Sequence, residues 1–262
     1  MKITVFTSNQ NRHNFLINSL SKICEELFVV QECKTIFPGI IPDHYPANET
    51  MKEYFKNVIN AETNLFGNSY VNKFNKNVKI LPLQFGDLNK CSTNLLSDFI
   101  KSDYYIIFGS SYIKGELAKF LVNNKAINIH MGVSPYYRGT DCNFWALYDG
   151  NPHLVGATIH LLSKGLDSGP VLYHAMSNFI ANPFEYSMST VKSAFISLCK
   201  KINDNSINHM QPELQDKSKE IRYSKKNEFT DVILKDFVKK KINLNSNMFD
   251  ISLLKKPFFL DS

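Results

Sequence analysis

The sequence predicts an α/β fold: a doubly wound, mostly parallel sheet over residues 1–203, with a small C-terminal appendage over residues 204–262. Three observations carry this. Strand-like and helix-like stretches alternate from the N-terminus to about residue 174, the order of a parallel sheet with crossover helices. Tyr104-Tyr105-Ile106-Ile107-Phe108 is apolar without interruption, as strands covered on both faces are. Lys2–Thr7, a helix and Leu27–Gln31 form an opening βαβ unit, whose first loop lies at the carboxyl end of the sheet, where ligands bind.

That first loop, Ser8 to His13, leads into a helix expected to run to about Leu27. It lacks Gly-x-Gly-x-x-Gly and so carries no dinucleotide fingerprint. Ser8, Asn9 and Arg12 are placed to hold a phosphate at the helix N-terminus; Ser8 or Asn9 acting as a plain cap is the equal alternative. Residues 32–76 begin irregularly, through Pro38, Pro42 and Pro46. They turn helical from about Thr50 to Phe66, with an apolar stripe at Met51, Tyr54, Phe55, Val58 and Leu65. Val78–Leu81 reads as a third strand, and Ser92–Lys101 as a helix capped by Ser92 or Thr93.

In Ala126-Ile127-Asn128-Ile129-His130 the alternation is strict: two isoleucines face one way, Asn128 and His130 the other. Buried polar groups need partners, so a strand of this kind opens onto a cleft. A Gly/Pro/Gly loop follows from Met131 to Gly139, then a helix from Asp141 to Tyr148 with Asp141 as N-cap. Gly156–Leu162 is a strand, Gly165–Pro170 a glycine-flanked turn carrying Asp167, and Val171–His174 a further strand. A helix spans Phe184 to about Ile202. The tail, rich in Lys, Asn and Ser, offers a weak strand at Glu220–Tyr223 and a helix from Phe229 to Lys241.

Composition suits a globular enzyme: 44% hydrophobic, 13% aromatic and a mild net charge of +6 over 262 residues. Residues 1–199 hold 17 basic and 15 acidic side chains and residues 200–262 hold 13 and 9, so no strongly basic module forms and nucleic acid is not the expected partner. Five scattered cysteines, an odd number without a Cys-x-x-Cys pair, fit a reducing cytoplasm. No signal peptide opens the chain and no apolar run reaches membrane-spanning length.

The ordered set Asn128-x-His130, a Pro/Tyr/Arg-Gly loop, Gly156-Ala157-Thr158-Ile159-His160 and Leu166-Asp167-Ser168-Gly169-Pro170 closely resembles the catalytic segment of the folate-dependent formyltransferases. The likeness is strong over about fifty residues and weaker back to residue 1. It implies a Rossmann-like formyltransferase core, N10-formyltetrahydrofolate as formyl donor, no metal, and Asn128, His130 and Asp167 as catalytic residues. His130 and the Asn128 amide would face the developing oxyanion. Asp167 would favour the protonated imidazole, orient it and relay the proton lost by the amine. Phe108, Gly109, Ile113 and Leu166 would wall the pterin pocket. Tyr136, Tyr137 and Arg138 stand where an aromatic plus a cation could hold a sugar or phosphate, with loop packing the equal alternative for the two tyrosines. His153, His160 and His174 show no ligand spacing and read as structural.

Met131-Gly132 after His130 and Val133-Ser134 before Pro135 depart from the family pattern, and both changes lie in the loop that shapes the mouth of the site. The small tail and mild charge favour a nucleotide-linked amino sugar as acceptor over tRNA. Formyltetrahydrofolate deformylase, methionyl-tRNA formyltransferase and a catalytically silent folate- or nucleotide-binding module stay open as alternatives, as does a homodimer.

Overall fold

The computed structural model describes residues 1–34, 47–71, 75–165, 167–240, 242 and 250–260. The stretch through Pro38, Pro42 and Pro46, Leu166 (expected at the pterin pocket) and Lys241 lie outside them. In chain order the elements are β1 (Lys2–Thr7), α1 (Asn11–Ser21), β2 (Glu26–Cys33), α2 (Glu49–Phe66), β3 (Val78–Gln84), β4 (Tyr104–Ile107), α3 (Gly115–Asn123), β5 (Ile127–His130), β6 (Tyr137–Gly139), α4 (Cys142–Tyr148), β7 (Ala157–Leu161), β8 (Val171–Ser177), α5 (Pro183–Asn203), β9 (Arg222–Ser224), α6 (Asp231–Lys239) and β10 (Phe258–Leu260).

The central sheet runs β10-β8-β7-β5-β4-β1-β2-β3, parallel throughout except where β7 runs antiparallel to β5 and to β8. Alternate residues of its strands feed two cores. Ile3, Val5, Ile106, Ile127 and Ile129 pack with Leu16 and Leu20 of α1 and Phe195 and Leu198 of α5. On the other face Phe6, Val30, Tyr105 and Ile107 meet Leu117 and Leu121 of α3. Apolar residues on both faces are why β4 reads as an unbroken apolar run.

A third cluster joins α2, α4 and α6 through Met51, Phe144, Trp145, Leu234 and Phe237. The C-terminal region is thereby tied into the body. It also gives β10 to the edge of the central sheet and β9 to a small parallel pair with β6.

Several expected boundaries move. The first helix stops at Ser21, because the Glu25 amide bonds the Met1 carbonyl at 2.8 Å and β2 already begins at Glu26, opposite Lys2. The third strand continues through Pro82 to Gln84; β3 is an edge strand, where a missing N–H costs no ladder bond. The helix expected over residues 92–101 is a series of turns. Ser92 does cap one of them, taking the Leu95 amide at 3.1 Å. Beyond it, the Phe99 and Ile100 carbonyls are claimed by the hydroxyls of Thr4 and Tyr105 instead of by helical amides. Asp141 stands at the N-cap position of α4 but in the left-handed region (φ 54°), and its side chain makes no capping bond.

Candidate active site

A cavity of about 1090 Å³ opens at the carboxyl ends of β4 and β5, between the loop after β4, the α3 helix and the turn joining β7 to β8. Asn128, His130 and Asp167 all line it. β5 delivers the first two, because its isoleucines are fixed in the core beneath. Asp167 arrives from the turn in a left-handed conformation (φ 46°), tolerated better by Asp than by most side chains. Its Oδ2 lies 3.3 Å from His130 Nδ1, with only 11% of the carboxylate side chain and 7% of the imidazole exposed. His130 Nε2 faces the Tyr137 carbonyl at 3.3 Å, so both ring nitrogens look onto oxygen acceptors.

His160, expected to be structural, belongs to this wall. It pairs with Asn128 across the β5–β7 ladder, and its ring lines the cavity. Nδ1 lies 2.8 Å from the Leu161 carbonyl, which can only accept, so the proton sits on Nδ1 and Nε2 is left as an acceptor. Asn128 Nδ2, 3.0 Å away, is its donor. Burial pushes the His160 imidazole down to about 4, which keeps it neutral at physiological pH; the 4.0 Å approach of Asp167 Oδ1 is therefore not an ion pair. Gly169 makes room for this: a Cβ there would lie 1.7 Å from the Leu161 oxygen and 2.9 Å from His160 Nδ1. Thr158 holds the loop after His130, donating to the Gly132 carbonyl at 2.6 Å and accepting the Ser134 amide at 2.8 Å.

Of the residues expected to wall a pterin pocket, Phe108, Gly109 and Ile113 line the cavity. Gly109 has φ 68°, and a Cβ on it would sit 2.5 Å from Nε2 of His13, whose ring packs 5.0 Å from Phe108. His13 is buried, lines the cavity and is held well below the usual imidazole range by desolvation; no sequence signal marked it. The loop is fixed from behind by Glu32, fully buried at the end of β2. Its carboxylate accepts the amides of Gly86 (2.8 Å), Leu88 (3.2 Å) and Ser111 (2.6 Å) and the Ser111 hydroxyl (2.9 Å).

The residues expected to hold the acceptor are placed differently. Ser8 donates inward to the Glu32 carbonyl at 2.8 Å, and the Asn9 amide bridges the backbone N and O of Lys34 at 3.1 Å each. Arg12 does line the cavity, but its guanidinium pairs with the buried Glu62 at 2.7 Å, and the same carboxylate takes the Arg12 amide at 2.9 Å. The anion at the start of α1 is thus the protein's own.

Tyr136, Tyr137 and Arg138 are all buried, and the backbone of residues 136–139 is covered by residues 221–224. The Tyr137 hydroxyl, pushed up to about 12 by burial, bonds Asp149 and Asn151, and Arg138 pairs with Glu220 at 2.9 Å. None of the three lines the cavity; among them only the Tyr137 carbonyl touches the site, through His130.

The wall can donate a hydrogen bond from Asn128 to a developing negative oxygen, with the His130–Asp167 pair beside it as a route for a proton. Residues 103–201 match the model of a family described as formyl transferase. Among solved structures the chain is similar to a 4-N formyltransferase from Francisella tularensis (21% identity, TM-score 0.51, covering 85% of this chain and 75% of that one). It is similar also to an N-formyltransferase from Helicobacter canadensis in complex with folinic acid and dTDP-3-aminofucose (13% identity, TM-score 0.52, 88% and 73%). A third is glycinamide ribonucleotide transformylase 1 from Symbiobacterium toebii (13% identity, TM-score 0.53, 82% and 94%). At these identities the likeness is one of fold. The match to the formyl transferase family is confined to residues 103–201, and the fold around it is one this chain shares with solved formyltransferases.

Proposed function

We propose that the protein transfers a formyl group from N10-formyltetrahydrofolate to the primary amine of a small acceptor, a nucleotide-linked amino sugar. The observation that carries the reading is the 3.3 Å approach of Asp167 to His130 on the wall that also presents Asn128. The unprotonated amine attacks the formyl carbon, forming a C–N bond and a tetrahedral oxyanion. Asn128 Nδ2–H donates to that oxygen, and the His130 Nε2–H joins it by exchanging its 3.3 Å contact with the Tyr137 carbonyl for the developing charge. The amine gives up a proton, through water, to Asp167, and a proton reaches N10 as the N10–formyl bond breaks. The products are tetrahydrofolate and a formamide, with no net gain or loss of protons.

The cavity volume admits a folate, and the exposed Lys114, Lys119 and Lys164 along its rim suit the carboxylates of the folate tail. The amino-sugar reading rests on the mild net charge, which does not suit a nucleic acid as acceptor. The dTDP-3-aminofucose bound by the Helicobacter canadensis protein adds support. Five free thiols fit a reducing cytoplasm, where we place the protein.

The test is tetrahydrofolate release, followed by absorbance, across a panel of nucleotide-linked amino sugars. His130→Ala and Asp167→Asn should each cost about 10²–10³ in rate or more. Near-normal turnover in either variant would remove the mechanism. Release from the parent chain without any amine would replace transfer by hydrolysis.

A further inference from the structure

Asp167 sits on a turn, and a catalytic carboxylate there needs something to hold it. Within the turn the side-chain bonds come from two serines: Ser163 Oγ lies 2.9 Å from Ser168 Oγ and 3.3 Å from the Gly165 carbonyl. The stronger tether comes from the C-terminal region. Gln215 Nε2 donates to the Asp167 carbonyl at 2.9 Å and to the Gly169 carbonyl at 2.8 Å, so one amide nitrogen spends both its hydrogens on the two sides of Ser168. Two carbonyls accept only, which fixes which end of the amide faces the turn.

Gln215 is itself held. Glu213 and Val171 exchange two backbone bonds, at 2.7 and 2.9 Å, in an antiparallel bridge at the start of β8. That register carries Gln215 opposite Gly169, one pleat from the bridge. Lys255 clasps the same segment, bonding the Gln211 carbonyl at 2.7 Å and Glu213 at 2.9 Å. Gln215 Oε1 is buried with no hydrogen-bond partner among the described residues, a cost that simple packing would avoid with an apolar side chain.

We propose that Gln215 is a positioning residue: through its amide the C-terminal region sets the Asp167 carboxylate at its working distance from His130. The inference rests on the reading of Asp167 and His130 as the reacting pair. It gives the C-terminal region a part in the chemistry, though none of its described residues lines the cavity.

Three variants of the full chain test it. Gln215→Met keeps the length and removes both donors. It should lower kcat by about tenfold to a hundredfold, the scale of a misplaced catalytic group. The KM for 10-formyltetrahydrofolate and the melting temperature should stay near the parent values. Gln215→Glu sets an ionised carboxylate against two carbonyls and regains one donor only when protonated. Its rate relative to the parent chain should rise as pH falls towards the carboxyl range, about pH 4–5. Hydrogen exchange of the peptide spanning residues 163–170 needs no acceptor, and should be faster in Gln215→Met while other peptides are unchanged.

Parent-like kcat in Gln215→Met, an unchanged exchange rate, a Gln215→Glu ratio flat with pH, or a loss confined to KM or melting temperature would each overturn the clamp. Asp167→Asn separates the two levels. If it stays active, the reacting pair itself is wrong. If it is dead while Gln215→Met is normal, only the clamp fails.

Discussion

His160 accepts a hydrogen bond from the Asn128 side chain at 3.0 Å while donating its own proton to the Leu161 carbonyl at 2.8 Å. These two bonds fix a tautomer, and the tautomer fixes an amide. Asn128 must point Nδ2 at the ring, which commits one of its hydrogens there and leaves the other with the Oδ1 end as its free polar groups. An oxyanion donor is useful only if it is aimed before charge develops. On the proposed role of Asn128, that aim comes from a neutral histidine on the neighbouring antiparallel strand.

His160→Phe should therefore lower kcat while sparing donor affinity. The phenyl ring fills the same space and gives Asn128 nothing to lean on. A loss of about tenfold to a hundredfold is expected, short of the 10²–10³ that follows removal of an oxyanion donor outright. Steady-state kinetics at saturating donor measures it. A variant with parent-like kcat, or one that fails only through a raised donor KM, would show that Asn128 is held by other means.

Glu32 governs the opposite wall. Four hydrogen bonds converge on one buried carboxylate, joining the loop after β3 to the loop after β4 that carries Gly109 and Ile113. Glu32→Gln keeps the shape but turns one acceptor into an NH₂ facing amide N–H groups. A hydrogen bond to a charged group contributes about 1.5–3 kcal/mol, so a loss of at least that size is expected in urea unfolding. Donor KM should rise with it, because Phe108, Gly109 and Ile113 share the loop. A stability loss with unchanged donor KM would separate the loop from the donor pocket.

The legible part of this protein was what local pattern controls. Period-two alternation gave β5 and the orientation of Asn128 and His130; the apolar run gave β4; the glycine-flanked turn put Asp167 near the same place. What escaped is set by pairing between distant segments. His160 looks like any strand histidine until antiparallel register sets it against Asn128. Tyr136, Tyr137 and Arg138 could be read as holding a sugar or phosphate because nothing local shows that residues 221–224 will lie along them. β6, β9 and β10 are three residues each, too short for periodicity to show. Gln215 acts on backbone carbonyls, which no side-chain motif reveals.

Acid should weaken the fold in a window that belongs to its buried histidines. Unfolded, each imidazole takes up its proton near 6.5; folded, His160 and His174 do so only at about 4, because burial penalises the charged ring. His13 is likewise held well below its ordinary value by burial. Between those values the unfolded chain binds more protons, so this contribution is complete above pH 6.5 and is lost as pH falls towards 4. For His160 and His174 the full effect is about 3 kcal/mol each. Carboxylates act lower: Glu26, held down to about 2 by Lys2 and Lys79, loses its share only below its ordinary 4.5. Thermal melts from pH 7.5 to 5 thus isolate the histidines, and a melting temperature constant over that range would refute the assignment. Activity should fail along the same limb. A protonated His160 would present N–H to the Asn128 amide nitrogen, donor against donor, and Asn128 would have to turn away from the reacting oxygen.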